Sequence, residues 1–374
     1  MICSNLKILH IITSLRAGGA ERLVIDLLVR LERNGHDVAL LVFDGTRTPL
    51  FDELENAGIK IHICGVGYWQ MWNPAHVFRI RRLLRANSYH IVHTHNTPPQ
   101  FLTALAGKGK ASALITTEHN TFNRRREKRW LNRIDRWMYG KYSRIICVSR
   151  QTQINLLESL GNSFWSENIC TIPNGVDLSK FNQHNSVESS GEKRDKDTHI
   201  VLMVAGFRKQ KDQPTLIRAM QCLPANYRLW LVGDGITRKQ CERLATSLKL
   251  NDRITFWGFR DDIPMLISQS DVIVQSSYYE GLALSVVEGM VQKKVVIASD
   301  VDGLREVVDG AGLLFKREDE KELAALIKRV CEDKGVYDEI ALRCMERGRS
   351  FDIEKTVQGY EKMYENVLFT NKKS

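Results

Sequence analysis

The sequence lacks the features that mark several large classes of protein. None of its apolar runs approaches the roughly 18 residues that a membrane-spanning helix requires. Its eight cysteines are scattered and form no C-x-x-C pair, so we predict reduced thiols in a cytosolic protein rather than a disulfide framework or a zinc site. We find no motif for RNA or DNA binding, and we predict neither a metal nor a cofactor.

The N-terminal segment does not resemble a signal peptide. Lys7 interrupts its apolar residues, and the segment runs directly into a glycine turn, as a first β-strand would. We therefore expect a cytoplasmic protein whose contact with a membrane is peripheral, on the inner face.

Length and charge limit the remaining possibilities. A chain of 374 residues exceeds the size at which one hydrophobic core usually keeps growing, which favours two domains. The net charge of +10 indicates an acidic partner, such as phosphates, anionic lipid head groups or nucleic acid. Charge alone does not choose among these three.

Two series of short apolar runs, rich in β-branched residues, alternate with segments of helical periodicity. This alternation predicts βαβ units and parallel sheets covered on both faces. The first series predicts six strands: Lys7–Thr13, Asp37–Phe43, Ile59–Cys64, His90–Thr94, Ala113–Thr117 and Arg144–Val148. The second series predicts six more: His199–Ala205, Tyr227–Val232, Arg253–Phe256, Asp271–Gln275, Val295–Ser299 and Gly312–Phe315.

The segment Asn182–Thr198, between the two series, contains almost no apolar side chains and is typical of a linker. We therefore predict one Rossmann-like domain over residues 1–172, a linker over 173–198 and a second Rossmann-like domain over 199–350. Residues 351–374 are predicted to form a helix that packs back on the first domain.

A glycine pair follows the first predicted strand. Gly18 and Gly19 permit close approach to the backbone, and the next helix presents free amide groups, so a phosphate or a sugar oxygen fits there. The pattern is not the G-x-G-x-x-G dinucleotide motif, and a plain tight turn is the alternative.

The segment SSYYEGLALSVVEGM gives a stronger signal. A strand ends, Glu280 and Gly281 form a turn, and a helix begins near Ala283 and carries Glu288. Ligands bind at the carboxyl ends of parallel strands in open sheets. The amides from Gly281 to Leu284 suit an anionic diphosphate, and Glu288 suits ribose hydroxyls. The alternative is a solvated pair of acids, which the small and apolar neighbours disfavour.

The E-x7-E spacing of this segment resembles the signature of the family 4 retaining glycosyltransferases of GT-B fold. The resemblance covers nearly the whole chain, in order and spacing as well as content. It includes the segments AGGAER, TTEHN, IPNGVD, VAGFRKQKDQPTLIRA, GDG, FWGFRDDI and DGLREVVDGAGLLF. It implies an α/β protein of two doubly wound, Rossmann-like domains that face a cleft, with the acceptor on the first and a nucleotide-sugar on the second.

The resemblance also implies roles for single residues. Glu280 would lie at the donor sugar, Glu288 would bind the ribose, and His119 would lie beside the transferred sugar. Phe259 and Arg260 would border the base. For His119, a structural histidine at a strand end is the alternative.

The diphosphate would be bound by backbone and by one cation. Gly19 would face it, Lys211 would pair with it, and Leu282 and Ala283 would give it their amides. The resemblance implies retention of the anomeric configuration, with the leaving diphosphate taking the acceptor proton. The protein must then stabilise a departing phosphate and exclude water.

The chain departs from the family pattern at one position. Members usually carry an arginine where this chain has Gly206, so an expected diphosphate cation is missing. Arg208 is close enough in the loop to substitute, and we expect Lys209 to contribute little. The alternative is that Arg208 is an ordinary exposed loop residue.

Two predicted helices are basic on one face. His76–Ala86 and Arg124–Tyr139 each place an apolar stripe opposite a row of arginines, and Tyr68–Trp72 forms an aromatic loop. A solvated basic face explains this pattern, and so does attraction to anionic lipid or to a phosphorylated acceptor.

We therefore predict a hexosyl-type glycosyltransferase, EC 2.4, that uses a UDP- or GDP-sugar and a glycan, glycolipid or lipid-linked acceptor, and that does not bind nucleic acid. Three alternatives come from other classes. An epimerase or phosphorylase of similar fold explains the domains but explains the two glutamates less well. A basic nucleic-acid-binding protein explains the charge, and a catalytically inactive interaction protein explains the fold.

Overall fold

The computed structural model of the protein describes residues 5–16, 18–119, 129–161, 167–182 and 197–371. The chain divides into two compact units, residues 1–175 with 353–374, and residues 176–352. Most of the predicted linker, residues 183–196, lies outside the described residues, and so does the first part of the predicted basic helix, up to residue 128.

The first unit is built on a parallel sheet of seven strands in the order β3-β2-β1-β4-β5-β6-β7. The strands are β1 Lys7–Ser14, β2 Asp37–Asp44, β3 Lys60–Gly65, β4 Ile91–His95, β5 Ala113–Glu118, β6 Arg144–Cys147 and β7 Ile169–Thr171. The six strands predicted in this part of the sequence are confirmed, with ends that differ by one residue at most, and β7 was not predicted.

Helices cover both faces of this sheet. They are α1 Gly19–Arg33, α2 Pro49–Asn56, α3 His76–Ala86, α4 Thr97–Ala106, α5 Arg129–Tyr139, α6 Arg150–Leu160 and the C-terminal α15 Ile353–Asn371. Alternate residues of β1 belong to two separate cores, because successive side chains of a strand point to opposite faces. Ile8 and Ile12 pack with residues of α1 and α15, whereas Leu9 and Ile11 pack with residues of α3 and α5.

The C-terminal helix α15 is part of the first unit. Its tyrosines Tyr360 and Tyr364 are fully buried in the core that α1 also lines. Arg30 of α1 donates from Nε to the carboxylate of Glu354 at 2.7 Å, which pins the start of α15 to α1.

The apolar stripe of α5 is only partly buried. Trp137, which the helical periodicity places on this stripe, is 41% exposed, whereas the adjacent Met138 is fully buried. The ring of Trp137 meets Phe101 edge-on at 6.0 Å between centroids, and the ammonium of Lys141 lies 5.6 Å from its centroid, so the ring lies at the rim of the core.

The second unit is built on a parallel sheet of six strands in the order β10-β9-β8-β11-β12-β13. The strands are β8 His199–Val204, β9 Tyr227–Val232, β10 Ile254–Gly258, β11 Val272–Gln275, β12 Val295–Ser299 and β13 Leu313–Phe315. All six were predicted, with ends within two residues. Its helices are α7 Ser179–Asn182, α8 Gln213–Cys222, α9 Arg238–Ser247, α10 Ile263–Gln269, α11 Leu284–Val291, α12 Leu304–Val308, α13 Glu320–Glu332 and α14 Lys334–Gly348.

Each sheet has one point at which the strand order reverses. In the first unit it lies between β1 and β4, and in the second between β8 and β11. In open α/β sheets a ligand binds beyond the carboxyl ends of the strands at such a point. The residues that follow these four strands are therefore the first place to look for a site.

None of the described helices is both long enough and apolar enough to span a membrane. The seven cysteines among the described residues are all free thiols.

Candidate functional site

A buried carboxylate lies at the reversal point of the second unit. Glu280, in the loop after β11, is 5% exposed. Its Oε1 accepts hydrogen bonds from Lys211 Nζ at 2.5 Å, from Ser277 Oγ at 2.5 Å and from Gln275 Nε2 at 3.2 Å. These donors fix the carboxylate in one orientation, and one of them brings a positive charge.

The loop after β8 supplies that charge. Lys209–Lys211 forms a single 3-10 turn, and its middle residue Gln210 joins this turn to the loop of Glu280. The carbonyl of Gln210 accepts from the amide of Tyr278 at 2.8 Å, and its side-chain amide donates to the carbonyl of Tyr279 at 2.8 Å. The Lys211–Glu280 pair is therefore held by backbone as well as by charge.

The helix that follows Glu280 begins without a side-chain cap. Ala283 is the N-cap residue of α11, its side chain offers no oxygen, and Gly281 and Leu282 lead into it in the same turn. The first amides of a helix have no partner within the helix, so Leu284 and its neighbours can donate to an anion. Glu288 lies further along α11 and is partly buried.

Gly303 explains how the turn at Glu280 is shaped. It has φ +83°, and an added Cβ would lie 2.2 Å from the carbonyl oxygen of Glu280. Backbone therefore packs directly on backbone at this point, which only glycine permits. The loop after β12, which carries Gly303, therefore packs directly against the turn at Glu280.

There is open space beside Gly206, where a side chain would stand. An added Cβ at Gly206 would have the carbonyl oxygen of Asp234 at 3.6 Å and Nε of Arg208 at 4.0 Å as its nearest neighbours. Arg208 and Lys209 are both exposed, and the Arg208 side chain lies over the glycine. The guanidinium thus occupies space that a side chain at position 206 would otherwise enter.

The two residues predicted to border a base lie after β10. Phe259 is 68% exposed. Arg260 donates to both carboxylate oxygens of Asp262 and lies 5.0 Å from the ring centroid of Trp257. Arg260 is thus already paired and stacked, which leaves Phe259 as the open apolar surface.

In the first unit, the predicted glycine pair opens α1. Gly18 is the N-cap residue with extended backbone, its helix start has no side-chain cap, and both Gly18 and Gly19 are exposed. Asp44, at the end of the neighbouring β2, accepts from Arg16, Thr46 and the amide of Gly67. The Asp44 carboxylate therefore joins the loops that carry Arg16, Thr46 and Gly67 through hydrogen bonds.

His119 directly follows β5. Its Nε2 lies 3.1 Å from Nδ1 of His95, while its own Nδ1 is buried and has no partner among the described residues. Burial lowers the pKa of His119 to about 4, so the ring is neutral at pH 7. A buried, unpartnered ring nitrogen points to a ligand or to a missing hydrogen bond.

The predicted residues fall into two groups. Gly18, Gly19 and His119 lie at the carboxyl edge of the first sheet. The others lie at the carboxyl edge of the second sheet: Arg208, Lys211, Phe259, Arg260, Glu280, Gly281, Leu282, Ala283, Leu284 and Glu288. Within the second group, the structure brings Lys211 and Glu280 into direct contact.

Sequence reasoning missed three buried histidines near His119. His10 lies in β1, and His93 and His95 lie in β4. The signal was available, because the segment HTH puts two histidines on one face of a strand predicted to be buried.

Residues 17–180 match the family described as Glycosyltransferase Family 4, and residues 186–351 match the family described as Glycosyl transferases group 1. The chain belongs to the family 4 glycosyltransferases of GT-B fold type and is a hexosyl-type glycosyltransferase, EC 2.4.

Individual relatives match along nearly their whole length. An Escherichia coli UDP-Gal:alpha-D-GlcNAc-diphosphoundecaprenol alpha-1,3-galactosyltransferase is 24% identical, over 98% of each chain. A Campylobacter jejuni N-acetylgalactosaminyltransferase, named for a diphosphoundecaprenol-linked acceptor, is 22% identical over 97% of this chain and 99% of its own. The crystal structure of Anabaena HepE with UDP and glucose superposes with a TM-score of 0.82 at 22% identity, over 96% of this chain and 100% of its own.

Proposed function

We propose that the protein is a retaining transferase that moves a hexosyl group from a UDP-sugar to a lipid-linked or lipopolysaccharide-type glycan acceptor. The observation that carries the donor assignment is the Lys211–Glu280 pair beside the uncapped start of α11. Amides and cations at that place suit a diphosphate, and a fixed carboxylate suits sugar hydroxyls.

The choice of UDP rests on the relatives. The Escherichia coli relative is named for a UDP-galactose donor, and Anabaena HepE was crystallised with UDP and with UDP-glucose. Relatives also support the acceptor class, because the Escherichia coli and Campylobacter jejuni enzymes are named for sugars linked to undecaprenol through a diphosphate.

The departing diphosphate needs positive charge. Lys211 is already paired with Glu280 at 2.5 Å, which reduces the charge it offers to a ligand. Arg208 is exposed, lies over Gly206, and has no salt bridge among the described residues. A guanidinium binds phosphate oxygens with two parallel hydrogen bonds, so Arg208 is the group we assign to the leaving phosphate.

The donor site is tested by separating binding from turnover. Glu288→Ala should weaken UDP binding by roughly 5- to 150-fold, because unpaired ribose hydroxyls in a dry site cost about 1–3 kcal/mol. Glu280→Ala should mainly lower kcat for sugar transfer. Calorimetric titration with UDP and steady-state kinetics measure the two effects, and NMR of the product reads the anomeric configuration.

A matched acid gives the control. Glu339→Ala removes an exposed carboxylate from α14 and should change neither quantity. Wild-type UDP affinity and rate in both Glu280→Ala and Glu288→Ala would show that the donor site is elsewhere. An inverted product would contradict the retaining mechanism.

A lipid-linked acceptor places the reaction at a membrane, and the first unit has a surface suited to one. Beside β3 and α3, aromatic residues are exposed: Tyr68, Trp69, Trp72 and Phe78, with Trp69 80% exposed. The helix α3, which carries Phe78, also has four exposed arginines: Arg79, Arg81, Arg82 and Arg85. Exposed aromatic rings next to basic residues are typical of proteins that bind anionic bilayers peripherally.

Two of these arginines already donate hydrogen bonds to backbone carbonyls of the protein. Arg79 donates to the carbonyl of Cys64, and Arg81 donates to the carbonyls of Leu105 and Ala106. Arg82 and Arg85 are therefore the better substitution sites. Each basic residue near an anionic surface contributes about 1 kcal/mol, so the double variant R82Q/R85Q should lose roughly 30-fold in vesicle affinity.

Flotation with phosphatidylglycerol vesicles tests the surface, with added salt expected to weaken binding. The variant K321Q/K328Q, which removes two exposed lysines of α13 in the second unit, is the charge-matched control. Equal losses in both double variants would indicate a general charge effect and refute a specific surface. Absence of flotation by the wild type at low salt would refute membrane association.

A further inference from the structure

A continuous chain of hydrogen bonds runs inward from His119. Nε2 of His119 lies 3.1 Å from Nδ1 of His95, and Nε2 of His95 lies 2.9 Å from Nδ1 of His10. Nε2 of His10 then lies 3.3 Å from the hydroxyl of Tyr364, on α15. Each ring therefore uses one nitrogen toward His119 and the other toward the interior.

The chain continues beyond Tyr364. Its hydroxyl lies 2.7 Å from Nδ1 of His93, whose Nε2 lies 2.8 Å from the hydroxyl of Thr117. That hydroxyl lies 3.2 Å from the hydroxyl of Tyr360. All of these side chains are fully buried except that of His119, which is partly buried. The chain thus has one end at the unpartnered Nδ1 of His119 and the other at Tyr360.

The rings in the chain are neutral. Burial lowers the pKa of His10 to about 3 and that of His119 to about 4, and it holds the pKa values of His93 and His95 well below the usual range. A neutral imidazole has one N–H donor and one acceptor nitrogen. A ring that donates on one side must then accept on the other, so the direction of the links can reverse only at a hydroxyl. Such a reversal would leave the hydrogen of that hydroxyl without an acceptor, so we take all links to point the same way.

The partners of Tyr360, at the inner end of the chain, determine the direction of the hydrogen bonds. If the hydrogens point toward Tyr360, its own phenolic hydrogen has no acceptor, because Thr117 is the single partner of that hydroxyl among the described residues. In that direction the Nδ1 lone pair of His119 also has no donor. If the hydrogens point toward His119, Tyr360 donates to Thr117, and the Nδ1–H of His119 is the one donor left over. Unpartnered buried polar groups are disfavoured, so the second direction, which leaves one of them rather than two, is the stable one.

A metal site is the competing explanation. His10, His93 and His95 each offer a ring nitrogen within 4.8 Å of the others. Both nitrogens of each ring, however, already have a partner in the chain. An ion would have to break these bonds.

We propose that this chain fixes His119 as the Nδ1–H tautomer, so that His119 presents a hydrogen-bond donor to an oxygen atom of the bound sugar. Tyr364, His10 and His95 are positioning residues, because they act through His119. The role toward the sugar rests on the proposed function, whereas the tautomer itself is a property of the protein without substrate.

The tautomer is measured directly by long-range ¹H–¹⁵N NMR of histidine-labelled protein without ligand, which identifies the protonated nitrogen of each ring. We expect Nδ1–H for His119, His95 and His10. Tyr364→Phe removes the donor to His10 Nε2, so it should change the His119 signals although Tyr364 does not contact that ring. Tyr142→Phe is the control, because Tyr142 is a buried tyrosine of the same unit outside the chain.

Kinetics then test the role toward the sugar. Tyr364→Phe should lower kcat/KM for the UDP-sugar by roughly two- to tenfold, the usual range for one hydrogen bond, while UDP binding changes less than twofold. An Nε2–H tautomer for His119 in the wild-type protein overturns the proposal, even if sugar transfer is normal. Displacement of the His10, His93 and His95 signals by stoichiometric Zn²⁺ also overturns it, in favour of a metal site. Absence of sugar transfer would instead refute the proposed function and leave the NMR result to decide the tautomer.

Discussion

Removal of the ammonium of Lys211 should reveal how strongly the loops after β8 and β11 depend on their ion pair. Lys211→Met keeps the length and the apolar part of the side chain but leaves the carboxylate of Glu280 without its cation. Glu280 is 5% exposed, so water cannot replace the lost charge fully. Ser277 and Gln275, which also donate to this carboxylate, carry no charge.

The size of the effect follows from burial. Loss of one partner from a buried ion pair costs roughly 3–5 kcal/mol, because the remaining charge is uncompensated. The Lys211 side chain is 21% exposed, against 6% for that of Glu280, so solvent already screens the pair in part. We therefore expect a loss of about 2–3 kcal/mol in the stability of the second unit, at or just below the lower limit of that range. Glu280→Gln should cost less, about 1 kcal/mol, because the lysine can turn toward water.

The pair is best measured as a double-mutant cycle. Urea unfolding of Lys211→Met, Glu280→Gln and the double variant should give a coupling free energy of about 1–2 kcal/mol. Lys209→Met, on the exposed neighbour in the same 3-10 turn, should be neutral. A two-state fit is valid for one unit at a time, so the transition of the second unit must be resolved from that of the first before the fit. If the two single effects are additive, with a coupling free energy below about 0.3 kcal/mol, the contact between Lys211 and Glu280 does not contribute to stability.

Two further predictions concern the same unit. Arg208→Ala should slow sugar transfer about 10- to 1,000-fold, as removal of a charge-stabilising group does, while Lys209→Ala should do little; equal, small losses would leave the diphosphate without an assigned arginine. Gly303→Ala should destabilise the second unit by roughly 1–3 kcal/mol and lower kcat, because of its positive φ and its contact with the Glu280 carbonyl. Gly310→Ala, with φ +75° and no atom nearer than 3.8 Å, bears the backbone strain alone and should leave kcat unchanged.

The strands could be predicted because buried parallel strands have a distinctive composition. Runs such as β2 and β12 are apolar and β-branched, since both faces of the sheet are covered. The strand β7, Ile169–Thr171, escaped prediction because three residues are too few to show a pattern, and its place in the sheet depends on pairing with β6. Tertiary contact, rather than local sequence, defines that edge.

For the part of the candidate site in the second unit, the sequence predicts which residues belong to the site. It does not predict which of them contact each other. Glu280 and Lys211 were each singled out, and each was assigned to the ligand. The structure shows them hydrogen-bonded to each other at a sequence separation of 69, because β8 and β11 are neighbours in the sheet although two strands separate them in sequence. Sequence order does not report that crossover, so the partial neutralisation of Lys211, and with it the greater weight on Arg208, could not be inferred in advance.

The histidines of the first unit show the same limit in a sharper form. His93 and His95 lie two residues apart on one face of β4, a spacing that sequence alone reveals. Their partner His10 stands opposite His93 only because β4 pairs with β1 rather than with β3. The register of that pair, together with two tyrosines from the C-terminal helix, joins separate buried polar groups into one hydrogen-bonded chain. Two histidines at alternate positions of a buried strand each need two hydrogen-bond partners, so such a pair in a sequence predicts further polar residues on the adjacent strands, and the end of that network is where a ligand should be sought.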